Sequence, residues 1–196
     1  MTRSFRNAVI MVAVLNLAYG LVEMGVALRI SSVSLFADSI DFFEDGAVNI
    51  LIAFALGWSA VNRARLGLVL ALILFIPAAA TLWVAVQKFL DPVAPAALSL
   101  GVAAFGALVV NLFCAFLLAR FRKSSGSLAV AAWLSARNDA FANLAMITAS
   151  IITAYLWASA WPDLIVGLGI FYFNLDAAKA VLSAARKEAD PSVATP

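Results

Sequence analysis

Six apolar stretches succeed one another along the chain, at roughly 7–28, 33–58, 66–88, 96–119, 128–157 and 164–184. At about 1.5 Å of rise per helical residue, each is long enough to cross a hydrocarbon core of ~30 Å. Short connections join them: RISS, NRAR, the proline-bearing LDPVAP, RFRKSSG and SAWPD. Only 12% of the 196 residues are charged, about half of what a soluble domain carries. These features predict an all-α membrane protein. Residues 1–187 are expected to form a six-transmembrane-helix bundle, with a short polar tail over 188–196 and no soluble domain. Pro77 is expected to kink the third span, and Trp58, Trp83, Trp157 and Trp161 to anchor span ends at the interface.

The loop charges predict an orientation. With the N-terminus in the cytoplasm, Arg3, Arg6, Arg63, Arg65, Arg120, Arg122, Lys123, Arg186 and Lys187 all fall on the cytoplasmic side, and only Arg29 and Lys88 on the other. This is the positive-inside pattern, so both termini are expected to be cytoplasmic. A net charge of +2, with no basic block interleaved with aromatics, argues against nucleic acid as a partner. The single cysteine, Cys114, sits in VVNLFCAFLLA, cannot form an intrachain disulfide, and reads as a small buried residue.

Carboxylates inside spanning helices cost at least ~2.5 kcal/mol each at the bilayer centre on insertion scales, so their presence calls for a function. The second span, SVSLFADSIDFFEDGAVNIL, holds Asp38, Asp41, Glu44 and Asp45. On a helix, Asp38, Asp41, Asp45 and Asn49 fall on one stripe about 80° wide, with Glu44 off it. In the fifth span, Ser135, Asn138, Asp139 and Asn143 are expected on one side and Arg137 elsewhere. The two helices run antiparallel in this topology. Depth counted from the span ends sets Asp41 level with Asp139, and Asp45 level with Ser135. Three carboxylates and a hydroxyl at one level need protons or a cation to neutralise them, and a divalent metal with oxygen ligands does so directly. A polar network that only holds helices together, or a site for protons alone, are the alternatives.

Other polar residues within the spans carry weaker expectations. Asn16 and Glu23 share a face of the first span, either along a cation path or bonded to a neighbouring helix. Asn111 reads as a helix–helix hydrogen bond, and Asp176 with Lys179 as a local ion pair. Asp163 is expected to cap the sixth span, whose start it precedes.

Taken together, these residues resemble the transmembrane domain of the cation diffusion facilitator family. The matching pieces are Asn16 and Glu23 in the first span, Ser34-Leu-Phe-Ala-Asp38-Ser-Ile-Asp41 followed by Asp45, Asn111, Asp139, and WPDLIVGLGI opening the sixth span. The resemblance covers nearly the whole chain in order. It implies proton-coupled export of a divalent metal by a homodimer with alternating access, in a bundle of cation diffusion facilitator type with both termini inside. The expected location is the bacterial inner membrane. By position, it also implies a metal site formed by the pairs Asp41/Asp45 and Ser135/Asp139, with Asp38, Glu44, Asn49, Asn138, Asn143, Asn16 and Glu23 as secondary or path residues.

The chain departs from the family in having no histidine, so Ser135 stands where a His ligand is usual. An all-oxygen site shifts preference from zinc toward harder ions such as Mn²⁺ or Mg²⁺, and zinc, manganese, cobalt and iron all stay open as cargo. Proton exchange then falls to the aspartate cluster as a set rather than to one imidazole. The rival expectation is a non-transporting membrane subunit that partners another protein and keeps a vestigial cation site. An intramembrane enzyme finds no support in nucleophile–base or zinc-hydrolase spacing.

Overall fold

The computed structural model describes residues 3–55, 79–121, 127–173 and 175. Among these the chain is all-helical, with six helices and no strand. The helices are α1 (Arg3–Ile30), α2 (Val33–Ala55), α3 (Ala79–Leu90), α4 (Ala97–Ala119), α5 (Ser127–Tyr155) and α6 (Trp161–Phe173). Each lies on one of the six apolar stretches. Residues 66–78 of the third stretch, with Pro77, lie outside the described residues. So do Trp58, Arg63, Arg65, Arg122, Lys123, Asp176, Lys179, Arg186 and Lys187.

Two helices are long and apolar enough to cross a membrane, Ser4–Ile30 and Ala97–Ala119. The helices α2 and α5 are as long, at 23 and 29 residues. Their acids and amides dilute the apolar character that α1 and α4 retain.

The bundle is built from two helical hairpins. One pairs α1 with α2, the other α4 with α5; α1 packs across on α4, and α2 on α5. The α1–α2 turn is short because α1 stops abruptly. Ser31 takes a left-handed backbone, φ 54°, and the Ser32 amide donates to the Ala27 carbonyl at 3.0 Å. That bond back to the last turn is the Schellman closure usually built on glycine. The Ser32 hydroxyl then accepts from the Leu35 amide at 3.2 Å and caps the start of α2. Gly46 lets the hairpin close tightly, because a β-carbon there would lie 2.7 Å from Leu17.

Apolar packing occupies both ends of the bundle. At one end Phe5, Val9 and Val12 of α1 meet Cys114 and Leu118 of α4, Phe121, and Ala136 of α5. At the other, Ala27 meets Leu35 and Ile40 of α2, Leu100 and Ala104 of α4, and Met146 of α5. Between the two clusters, each of these four helices contributes polar side chains. Along α1 these are Asn16, Tyr19 and Glu23, along α2 the acids, on α4 Asn111, and on α5 Asp139 and Asn143. Among the described residues, a polar layer thus separates these two apolar clusters.

Described helices present large apolar side chains outward. On α4, Leu98, Val102, Phe105, Val109, Leu112 and Phe116 are all more than half exposed. They form a continuous apolar stripe of a size that soluble monomers rarely leave uncovered.

Candidate functional site

Asp41 of α2 and Asp139 of α5 lie in side-chain contact within hydrogen-bonding reach. This is the pair that the depth count sets level. Both are partly accessible, as are Asp45 and Glu44. Asp45 lies one turn from Asp41, near enough to act on Asp139 electrostatically. Ser135 belongs to the helical run of α5, and its side chain lies outside the described residues. Among the described residues, no three Asp, Glu, His or Cys side chains are grouped closely enough to hold a metal ion. What is assembled is a two-carboxylate contact between hairpins, with a third acid one turn away.

Deeper in the layer runs a second chain of polar groups, and it is sealed. The Asn111 amide donates to Asn143 Oδ1 at 3.0 Å. The Asn143 amide in turn donates to Asp38 Oδ2 at 2.7 Å. On its other side, the Asp38 carboxyl faces that of Glu23 within hydrogen-bonding reach. One line of contacts therefore crosses α4, α5, α2 and α1. Its members are 0–2% exposed. No donor reaches Asp38 Oδ1 or either oxygen of Glu23.

The remaining expected residues are placed as follows. Asn16 is buried and accepts a weak bond from the Cys114 thiol at 3.7 Å. Asn49 is buried and bonds its own helix, donating to the Asp45 carbonyl at 2.8 Å, while its Oδ1 meets no donor. Asn138 is not in the cluster: it is exposed and accepts from Arg137 at 3.1 Å. The reason is helical phase, because Asn138 lies about 100° from Asp139 and about 140° from Asn143 around α5. Asn111 makes the helix–helix bond expected of it.

Asp163 behaves differently from expectation. Helix α6 begins at Trp161, so Asp163 sits in its first turn and does not precede it. Its carboxylate is wholly buried and caps α2 instead. It accepts from Ser32 Oγ (2.6 Å), the Val33 amide (2.8 Å), the Ser34 amide (3.1 Å) and the Ser34 hydroxyl. The positive end of α2 meets a full negative charge there, which favours the contact. Gly167, one turn on, permits the approach, since a β-carbon would lie 2.8 Å from the Val33–Ser34 backbone. Nearby, Lys88 of α3, 5% exposed, donates to the Ser31 carbonyl at 2.6 Å. The SLFADS run opening α2 shows where serines and acids stand; nothing local to it points to a carboxylate some 130 residues away.

Tyr19 also escaped the sequence reading. Its hydroxyl donates to the Ala103 carbonyl at 2.7 Å and bridges α1 to α4 beside the polar layer.

No protein-family model matches this chain, and comparison with curated proteins gives no match either.

Proposed function

We propose that this protein is a multi-pass membrane transporter that moves a divalent cation out of the cytoplasm in exchange for protons, in the manner of the cation diffusion facilitators it resembles. The observation that carries this reading is the Asp41–Asp139 contact between two helical hairpins, in a polar layer flanked by apolar cores. Carboxylates cost too much in lipid to be kept there as packing, and two that face each other across helices need positive charge between them. In this reading Asp41, Asp45 and Asp139 are the cargo ligands, with Ser135 as a weak fourth. Both termini lie in the cytoplasm and the working unit is a homodimer in the bacterial inner membrane. The apolar stripe on α4 and the helices long enough to span fit a lipid surround.

Uptake of Zn²⁺, Mn²⁺, Co²⁺ and Fe²⁺ into proteoliposomes, read by an entrapped dye, tests the proposal. Wild-type protein moves at least one of these ions. Asp45→Asn and Asp139→Asn reduce the rate to that of empty vesicles while remaining folded and inserted. Ser135→His shifts preference toward Zn²⁺ over Mn²⁺ by adding a nitrogen ligand. Wild-type rates in both aspartate variants would refute the site.

One observation favours a second reading, a non-transporting subunit with a vestigial site: no three acids are gathered among the described residues. Wild-type protein that moves none of the four ions supports that reading.

A further inference from the structure

The sealed chain of contacts ends in two carboxyl groups that share no donor. Glu23 and Asp38 are each 0% exposed. Asn143 satisfies one oxygen of Asp38, and the other oxygen of Asp38 and both oxygens of Glu23 meet no donor. Two fully ionised carboxylates in that position would repel each other in a medium of low dielectric, each with unsatisfied lone pairs. A single proton between them changes this. One carboxyl becomes an O–H donor, its partner accepts, and the bond formed is of the strong charge-assisted kind.

The surroundings keep the pair a proton site. From α1 the Tyr19 phenol lies alongside, from α2 Asp41 and Asp45, and from α5 Asp139 and Asn143. Asn111 of α4 stands behind Asn143. The charged groups facing the pair are therefore carboxyls. Asp38 lies three residues from Asp41, about 4.5 Å along the helix.

We propose that Glu23 and Asp38 form a dedicated proton-carrying site, one proton shared between two carboxyls, separate from the cargo ligands and discharged when a divalent ion reaches Asp41 and Asp139. The proposal rests on the transport reading for its coupling role and on geometry alone for the shared proton. The exchange is balanced: the pair goes from one negative charge to two as the proton leaves, while two positive charges enter at the neighbouring acids. In a chain without histidine, this supplies the proton that an imidazole would otherwise carry.

Two measurements test it, one independent of transport. Infrared spectra of the metal-free protein in lipid at neutral pH should show a protonated-carboxyl stretch that persists in Asp139→Asn. The stretch should disappear in the Glu23→Gln/Asp38→Asn double variant, which keeps hydrogen-bonding capacity at both positions. An undiminished band in the double variant overturns the shared proton, whatever the protein transports. Proteoliposomes carrying both a metal dye and a pH dye then count protons per ion. Glu23→Gln, or Asp38→Asn should Glu23→Gln fail to fold, is expected to lower that count by about one while ions still move. An unchanged count in a transporting variant overturns the coupling role. A wild-type protein that moves no ion defeats the transport reading instead and leaves the infrared result to decide the pair.

Discussion

Asn143 holds two hydrogen bonds at once, accepting from Asn111 and donating to Asp38, and so joins helices of both hairpins through one side chain. Removing it strands an amide and a carboxyl oxygen in a buried layer. Between helices in lipid a single such bond contributes about 0.6 kcal/mol on average, and a buried polar group left without a partner costs ~1–3 kcal/mol. Asn143→Ala is therefore expected to lower stability by about 1–3 kcal/mol, and Asn143→Asp to keep the bond accepted from Asn111 but lose the one donated to Asp38, setting another carboxyl against it. Unfolding in mild detergent with rising denaturant measures this; a change below a few tenths of a kcal/mol would contradict the network's role. At this scale the sequence was legible in kind. Asp41 and Asp139 could be matched because height along antiparallel helices is a count of residues, and the contact between them follows from that packing. Asn143 and Asp38 were legible as polar residues in apolar helices, but their pairing was not, because it depends on the rotation of two helices about their axes. Asn138 was misplaced for the same reason: composition shows the polar residue, and only helical phase shows its face.

Helix α2 begins with its cap borrowed from another helix. Ser32 covers one amide, and the Asp163 carboxylate takes the Val33 and Ser34 amides with two hydroxyls. Asp163→Ala leaves these buried donors without an acceptor and is expected to destabilise the protein by about 2–4 kcal/mol. Asp163→Asn, which keeps one acceptor oxygen and loses the charge and the other, should cost less. Gly167→Leu should act like Asp163→Ala without touching any polar group, since it forces α6 away from the Val33–Ser34 backbone. Thermal unfolding of the three variants in one detergent checks the order, and a Gly167→Leu protein as stable as wild type would contradict the packing. Helix positions were readable from apolar stretches because each described helix overlaps one of them. The identity of the cap was not, because a long-range contact leaves no local pattern.

For the whole molecule, the alternation of apolar cores and polar layer fits a chain whose outside faces lipid. The charge bias of the loops then predicts that single cysteines at positions 2 and 195, introduced into a Cys114→Ala background, stay unlabelled by impermeant reagents in intact cells and react after permeabilisation. Labelling of either from outside would reverse the topology. Association between helices in a bilayer rests on helix faces, where close packing and hydrogen bonds act with no hydrophobic drive. Cross-linking in nanodiscs is expected to trap a homodimer; monomer alone at every protein-to-lipid ratio would remove that expectation.

The two ends of the bundle are fastened by different means. Around Ser31 the fasteners are a buried carboxylate and a buried ammonium, tying α6 and α3 to the α1–α2 turn. Because α6 follows α5 after a short bend, this knot also binds the second hairpin to the first. Around Phe5 the described contacts are rings and aliphatic side chains, the Phe5 and Phe121 rings edge to face at 5.3 Å, with the Arg120 guanidinium over Phe121 and Arg6 over Phe54. The knot cannot loosen without baring a carboxylate and an ammonium that are now buried. Among the described residues the Ser31 end therefore works like the spring of a clothes-peg, with buried charge gripping both hairpins at one point.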